Sequence, residues 1–342
     1  MTSTKLLIKR SIKSAASVAP VKTGFASPTP DSVNIIAYHR VVADIAKAER
    51  ESIYGLVVST DTFWRHCEML KKAYDVVSLE TARYFLCGKR RVGRPLAVIT
   101  FDDGYLDFYE EAFPILNEFG LPATVFLPTD FIGKNKVLAH DRIFWLLKQA
   151  IGKSISIANA LQRAGIGQLV GQFAASRNLL KLTDSVVFLP NEQREKVISE
   201  LETELGDKFE NYPREYQLLD WEMVREMHHK GINFGAHTAN HVVLTCETEA
   251  AFETEIVGCK KELERQLSSK VVSFAYPNGA YNPRVRQIIA QAGYEVAVTT
   301  ETKINQPGAD LFALGRISLC EESTRGLSGT YSAKVAGLRL GV

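Results

Sequence analysis

Two adjacent aspartates, Asp102 and Asp103, stand in Thr100-Phe101-Asp102-Asp103-Gly104-Tyr105, where an apolar run ends and a glycine permits a sharp turn. In extended backbone, neighbouring side chains point to opposite sides. One carboxylate can therefore face a metal ion while the other faces a water bound to that ion. An Asp-Asp-Gly sequence by itself is also an ordinary solvated turn. Two imidazoles four residues apart, His237 and His241, occupy Gly235-Ala236-His237-Thr238-Ala239-Asn240-His241. On a helical turn that spacing puts both rings on one face, and two neutral imidazoles with one carboxylate make a three-ligand set for catalytic zinc that leaves a place for water. The metal lowers the pKa of that water, and a neighbouring carboxylate such as Asp102 can take the remaining proton. Histidine pairs at this spacing also occur on plain helix surfaces, so neither motif decides alone.

Phe274-Ala275-Tyr276-Pro277-Asn278-Gly279 is a third element, a strand running into a Pro-x-Gly turn. Its use would be a backbone N–H, that of Tyr276, aimed at the oxyanion of a tetrahedral intermediate; the alternative is a tight turn with a packed aromatic. In Tyr38-His39-Arg40, His39 stands at the end of the first strand, where it could donate a proton to a leaving amine. His66, His140, His228 and His229 lie in helical contexts and read as surface or packing residues. Arg316, in Leu314-Gly315-Arg316-Ile317, is a partner for Asp102 that would keep the base ionised, with a surface salt bridge as the alternative.

The elements that must position these residues follow an α/β pattern. From Val33 onward short β-rich runs alternate with amphipathic helical stretches, as parallel strands joined by crossover helices require. The strand candidates are Val33 to Tyr38, Leu96 to Phe101, Ala123 to Leu127, Ile232 to Gly235, Val271 to Tyr276, Glu295 to Thr299 and Leu314 to Leu319. Most are continuous apolar runs, as buried parallel strands should be. Asn282 with Pro283 opens one helix, Asp220 caps another over Trp221 to Lys230, and Ala250 to Leu267 reads as a single longer helix. Between Phe131 and Leu218 the strand signal disappears while helical stretches continue, including Asp141 to Ile151 and Pro190 to Leu205, which predicts a helical insertion at about 131–218.

The chain has 342 residues, enough for one large α/β domain with insertions or for two average domains. Lysine plus arginine number 41 against 39 aspartate plus glutamate, so no global field points to nucleic acid or to a strongly anionic partner. Five scattered cysteines, Cys67, Cys87, Cys246, Cys259 and Cys320, with no C-x-x-C pair, fit a reducing compartment, and the expectation is a cytoplasmic protein. Residues 1–31 form a basic extension with Lys5, Lys9, Arg10, Lys13 and Lys22 and no acidic residue before Asp31. It reads either as a solvated tail or as an amphipathic helix in peripheral contact with an anionic membrane surface.

Together, in this order, T-F-D-D-G-Y, H-T-A-N-H and F-A-Y-P-N-G resemble the NodB-type polysaccharide deacetylases. The resemblance covers roughly Val33 to Leu319 and implies a distorted (β/α) barrel, a catalytic domain over 32–342, with its site at the C-terminal strand ends. It implies Asp102 as general base, Asp103, His237 and His241 as ligands of a divalent metal that the ligand types favour as zinc, and Tyr276 as an oxyanion contributor. Tyr105, Pro277 and Asn278 are read as substrate contacts, the substrate being an N-acetylated carbohydrate. Two departures stand out: Ala275 occupies a place where many members carry an arginine, and no late Leu-x-His supplies the usual acid. The opening A-Y-H-R-V is similar to the branch acting on poly-N-acetylglucosamine, in which an early histidine is the acid, so His39 takes that role here and Arg316 stands in for the missing arginine. The implied activity is deacetylation in polysaccharide or glycolipid assembly. The departures also raise a catalytically inactive carbohydrate-binding pseudoenzyme on the same fold. A two-His-one-carboxylate iron oxygenase is the third reading, disfavoured because that chemistry is commonly built on all-β jelly rolls.

Overall fold

The computed structural model describes residues 29–88, 93–171, 179–206 and 212–341. Most of the basic extension, and with it the choice between solvated tail and surface helix, lies outside the described residues. No described helix is long and apolar enough to cross a membrane.

The strands are β1 (Val33–Tyr38), β2 (Arg40–Val42), β3 (Val57–Ser59), β4 (Asp75–Val76), β5 (Leu96–Phe101), β6 (Ala123–Leu127), β7 (Asn233–Ala236), β8 (Ser273–Ala275), β9 (Val296–Val298) and β10 (Ile317–Ser318). The main sheet runs β10-β1-β5-β6-β7-β8-β9, with β4 paired to the start of β5, while β2 and β3 pair separately. Every pairing between these strands is parallel. Leu314 bridges Val298 of β9 in parallel, and the same segment continues into β10, which pairs with β1. The sheet therefore curls until its two edges meet through one short segment, giving a distorted parallel barrel.

Residues of alternating parity fill the barrel. Val33, Ile35, Leu96, Val98, Phe126, Ala275, Val296, Val298 and Leu314 form one buried cluster, and helix residues Leu79, Ala82, Phe85 and Leu86 pack on it. The opposite faces of the same strands, for instance Ile36, Tyr38, Ile99, Phe101, Val125 and Leu127, join a larger cluster with the outer helices. Both faces of each central strand are buried, which is why these runs are continuously apolar in sequence.

The helices, in chain order, are α1 (Ile45–Glu51), α2 (Thr60–Ala73), α3 (Leu79–Leu86), α4 (Phe113–Phe119), α5 (Ala139–Gly152), α6 (Ala158–Arg163), α7 (Leu179–Val187), α8 (Asn191–Leu205), α9 (Trp221–His229), α10 (Cys259–Leu267), α11 (Pro283–Gln291) and α12 (Ala333–Leu340). Asp220 and Asn282 cap α9 and α11 through their side chains, at Met223 N and Val285 N. Between β6 and β7, α5 to α8 build a separate apolar cluster that includes Ile143, Leu147, Leu161, Val186, Val197 and Leu201. Two expectations need correction. Ala250 to Leu267 is not one helix: a 3₁₀ turn (Glu249–Ala251) and a π-helical stretch (Glu253–Gly258) precede α10. The last strand candidate shrinks to β10 because Arg316 leaves the ladder, its amide and Nε reaching the carbonyls of Glu301 and Thr299.

Candidate active site at the strand ends

Asp102 follows β5 with the parity of the inward-facing Val98, which sets its carboxylate at the mouth of the barrel. Arg316, just before β10, meets it from across the closure. Nη1 donates to Oδ1 and Nη2 to Oδ2, each at 2.7 Å, while Nε donates to the Thr299 carbonyl at 2.9 Å. Burial alone would raise the Asp102 carboxyl. The Arg316 charge and its hydrogen bonds, with smaller contributions from His237 and His39, more than offset this and hold the carboxyl below its ordinary value.

Strict strand geometry would send the Asp103 side chain away from the barrel mouth. Instead its backbone is left-handed, φ 74°, followed by Gly104 at φ 70°. The left-handed backbone at Gly104 favours glycine, and a Cβ there would also press on Leu127 Cδ2 at 2.4 Å. The turn brings Asp103 Oδ1 within 3.5 Å of His237 Nε2 and 3.1 Å of His241 Nε2. The three ligand atoms lie within 4.8 Å of one another and all three residues are buried. Despite that closeness, Oδ1 is a buried oxygen that makes no well-formed hydrogen bond. The His237 Nδ1 lies 2.8 Å from the Ala275 carbonyl. A carbonyl can only accept, so Nδ1 carries a proton, and in the neutral ring the Nε2 lone pair faces Asp103. An orphaned carboxylate oxygen between two imidazole nitrogens, one with its lone pair fixed inward, fits a divalent cation such as zinc.

The two histidines are not on a helical turn. Thr238 and His241 are left-handed, φ 63° and 50°, in an irregular loop after β7. Its ties are local and distant: Val242 N donates to Thr238 Oγ1, while the loop's amides and carbonyls are held by Glu255 and Arg194. Such strain persists only where surrounding contacts over-determine it.

His39 follows β1 at the same rim and is half-buried. Burial depresses its pKa; Asp103 and Asp102 act upward, Arg316 and His140 downward, and the balance stays below the ordinary histidine value. His39 is thus in electrostatic reach of both aspartates.

Three sequence readings are corrected here. Tyr105 is fully buried: its hydroxyl donates to Asp141 Oδ2 at 2.7 Å and lies 2.8 Å from His140 Nε2, and the Arg40 guanidinium sits 4.9 Å over its ring. It supports the site from inside rather than touching substrate. His140 is no surface or plain packing residue, since its Nε2 lies 4.0 Å from Asp103 Oδ2 and its ring centroid 5.2 Å from that of His241. It opens α5, on the stripe continued by Ile143 and Leu147. That spacing is the signal by which a buried histidine could have been found. The Tyr276 amide donates to the Val298 carbonyl at 3.2 Å and its hydroxyl to the Phe312 carbonyl at 3.1 Å, so both of its donors are committed away from an oxyanion. Pro277 is buried, and the half-buried Asn278, left-handed at φ 54°, keeps a buried side-chain nitrogen without hydrogen-bond partner at the end of β8. Ala275 offers its carbonyl to His237, while the cation expected at that place is supplied by Arg316.

A curled parallel barrel with a buried Asp-His-His group and an arginine-held carboxylate at its strand ends defines a hydrolytic site of the (β/α)-barrel type. The family model for polysaccharide deacetylase matches residues 89–297, and the chain belongs to that family, of NodB type. It is a carbohydrate deacetylase, and its substrate is an N-acetylated carbohydrate. YxkH of Bacillus subtilis (strain 168), whose name classes it as a polysaccharide deacetylase, is 22% identical over 303 residues, spanning 88% of this chain and 76% of that protein. Two solved structures share the fold. The Streptococcus pyogenes deacetylase PplD, in complex with acetate, superposes with a TM-score of 0.57 at 22% identity, covering 86% of this chain and 95% of its own. IcaB from Ammonifex degensii gives a TM-score of 0.56 at 19% identity, covering 91% and 97%.

Proposed function

We propose that this chain removes N-acetyl groups from N-acetylhexosamine units of a polysaccharide or glycolipid, with Asp103, His237 and His241 holding a divalent ion, zinc by ligand type. The observation that carries the reading is the convergence of Asp103 Oδ1 on the Nε2 atoms of His237 and His241 without a hydrogen bond to either. When bound, the ion supplies Lewis acidity toward the acetyl carbonyl and its attacking water.

The chain's own residues do the proton work. Asp102, kept ionised by Arg316, takes a proton as water adds to the acetyl carbonyl carbon. His39, its pKa lowered by burial, must first take a proton from solvent and then gives it to the sugar nitrogen as the C–N bond breaks, while Asp102 returns its own proton to solvent. Acetate and a free amine leave. The near balance of charge, 41 basic against 39 acidic side chains, suits a largely neutral glycan.

The experiment is acetate release from N-acetylglucosamine oligomers by the purified full chain. Dialysis against a chelator should abolish turnover, and added zinc should restore it. Asp102→Asn should retain the metal and lose roughly 10²–10⁴-fold in rate, the usual worth of a general base. Turnover that survives chelation sinks the metal reading. A fully active, metal-loaded Asp102→Asn protein sinks the base assignment.

A further inference from the structure

We infer that Arg194 and Glu255 are positioning residues that clamp the loop carrying His241, so that the helical segment between β6 and β7 helps set the affinity of the site for its ion. The inference rests on the metal reading above. Arg194, on α8, is 1% exposed. Its guanidinium is aimed at backbone: Nη1 donates to the His241 carbonyl at 3.0 Å, Nη2 to the Asn240 carbonyl at 3.1 Å and to Asn191 Oδ1 at 2.7 Å. Taking a guanidinium out of water is costly, and packing α8 onto its neighbours needs only apolar side chains such as Val197 and Leu201. The cation is accounted for by the carbonyls it holds.

Glu255 grips the same loop through its amides. It is 5% exposed and stands on the π-helical stretch before α10. Oε2 accepts from Ala239 N at 3.0 Å and Asn240 N at 2.9 Å, and Oε1 accepts from Asn240 Nδ2 at 3.0 Å. The loop thus has an anion on its N–H groups and a cation on its C=O groups. Neither residue is a ligand, since each reaches only the backbone or a neighbouring amide.

Why the loop needs this follows from its conformation. Thr238 and His241 are both left-handed without being glycine, so the chain left to itself would relax away from this shape. Relaxation would swing the His241 imidazole, now 3.1 Å from Asp103, off the common point. Pre-organised ligands lose less freedom on binding, and partners that orient metal ligands are typically worth roughly 10–100-fold in metal affinity.

The test measures zinc affinity of the full chain by competition with a chromogenic chelator, and the visible absorption of the cobalt-substituted protein. Arg194→Met and Glu255→Gln should each weaken zinc binding about tenfold or more and alter the cobalt spectrum. Arg163→Ala removes ion pairs of 2.6 and 2.7 Å to Glu200 and Glu204 in the same helical segment and should leave affinity and spectrum unchanged. Folded Arg194→Met protein with wild-type affinity and spectrum overturns the proposal, as does an Arg163→Ala loss equal to that of Arg194→Met. If Arg194→Met does not fold, Arg194→Lys and Glu255→Gln decide, and unchanged affinity in both overturns it. A wild-type chain that takes up no zinc sinks the metal reading itself, whereas loss of zinc in Asp103→Asn with intact clamp variants sinks the clamp alone.

Discussion

Arg316 grips both oxygens of Asp102 at 2.7 Å, with the two side chains 1% and 5% exposed. Arg316→Met keeps the bulk and removes the counter-charge, and breaking a buried pair this way costs roughly 3–5 kcal/mol. The pH dependence follows from the direction of the shift. In the wild type the Asp102 carboxyl lies below its ordinary value, so the pair's stabilisation is full above the unfolded carboxylate range and is lost as pH falls through the folded value. In Arg316→Met burial prevails, the carboxyl rises above its ordinary value, and the stability contribution reverses sign, favouring low pH. With Asp102 as the proposed base, which must be deprotonated to act, the acid limb of kcat/KM is expected to move to higher pH. A pH–rate profile of the variant checks this, and an acid limb left in place would refute it.

How far the site was legible differs from residue to residue, for physical reasons. Strand β5 was read to the residue because both of its faces are buried and the apolar run is unbroken. The pairing of Asp103 with His237 and His241 was legible from residue type and spacing, yet the shape of the loop was not. A helical turn and a left-handed loop can both bring two imidazoles together, and the second is held by contacts that spacing does not show, among them those of the distant Arg194 and Glu255. His140 escaped because it lies in a helical segment far along the chain from the strand ends, and its approach to Asp103 is a tertiary fact. Tyr276 misled for the opposite reason: its amide lies beside β9, and the pairing that consumes it appears only once the sheet is assembled.

Gly279 and Gly120 separate two kinds of strain. Both are left-handed, at φ 67° and 66°. A Cβ on Gly279 would sit 2.2 Å from Thr300 Oγ1 and 2.6 Å from Thr300 N, whereas one on Gly120 meets nothing within 4 Å. Gly120→Ala should therefore cost only the left-handed penalty, roughly 1–2 kcal/mol. Gly279→Ala adds overpacking against backbone, about 1–3 kcal/mol more. Urea unfolding of the two variants under one condition measures the gap, and equal losses would contradict the close approach of the β8 turn to Thr300.

Tyr105→Phe distinguishes a substrate contact from internal support. The ring stays packed with Phe131 and Leu138 and beneath Arg40, while the hydroxyl that donates to Asp141 is removed. Asp141 is buried, and burial already pushes its carboxyl above the ordinary value, with the Tyr105 hydrogen bond among the groups that oppose the rise. Losing that donor leaves a buried acceptor unsatisfied, worth about 1–3 kcal/mol of stability. It also frees His140, 2.8 Å from the same hydroxyl, to turn beside Asp103 and His241. The expected outcome is a lower unfolding midpoint and a reduced kcat with KM unchanged, because nothing that meets the sugar has been removed. A raised KM with intact kcat and stability would instead place the Tyr105 hydroxyl on the substrate and overturn its assignment to the interior.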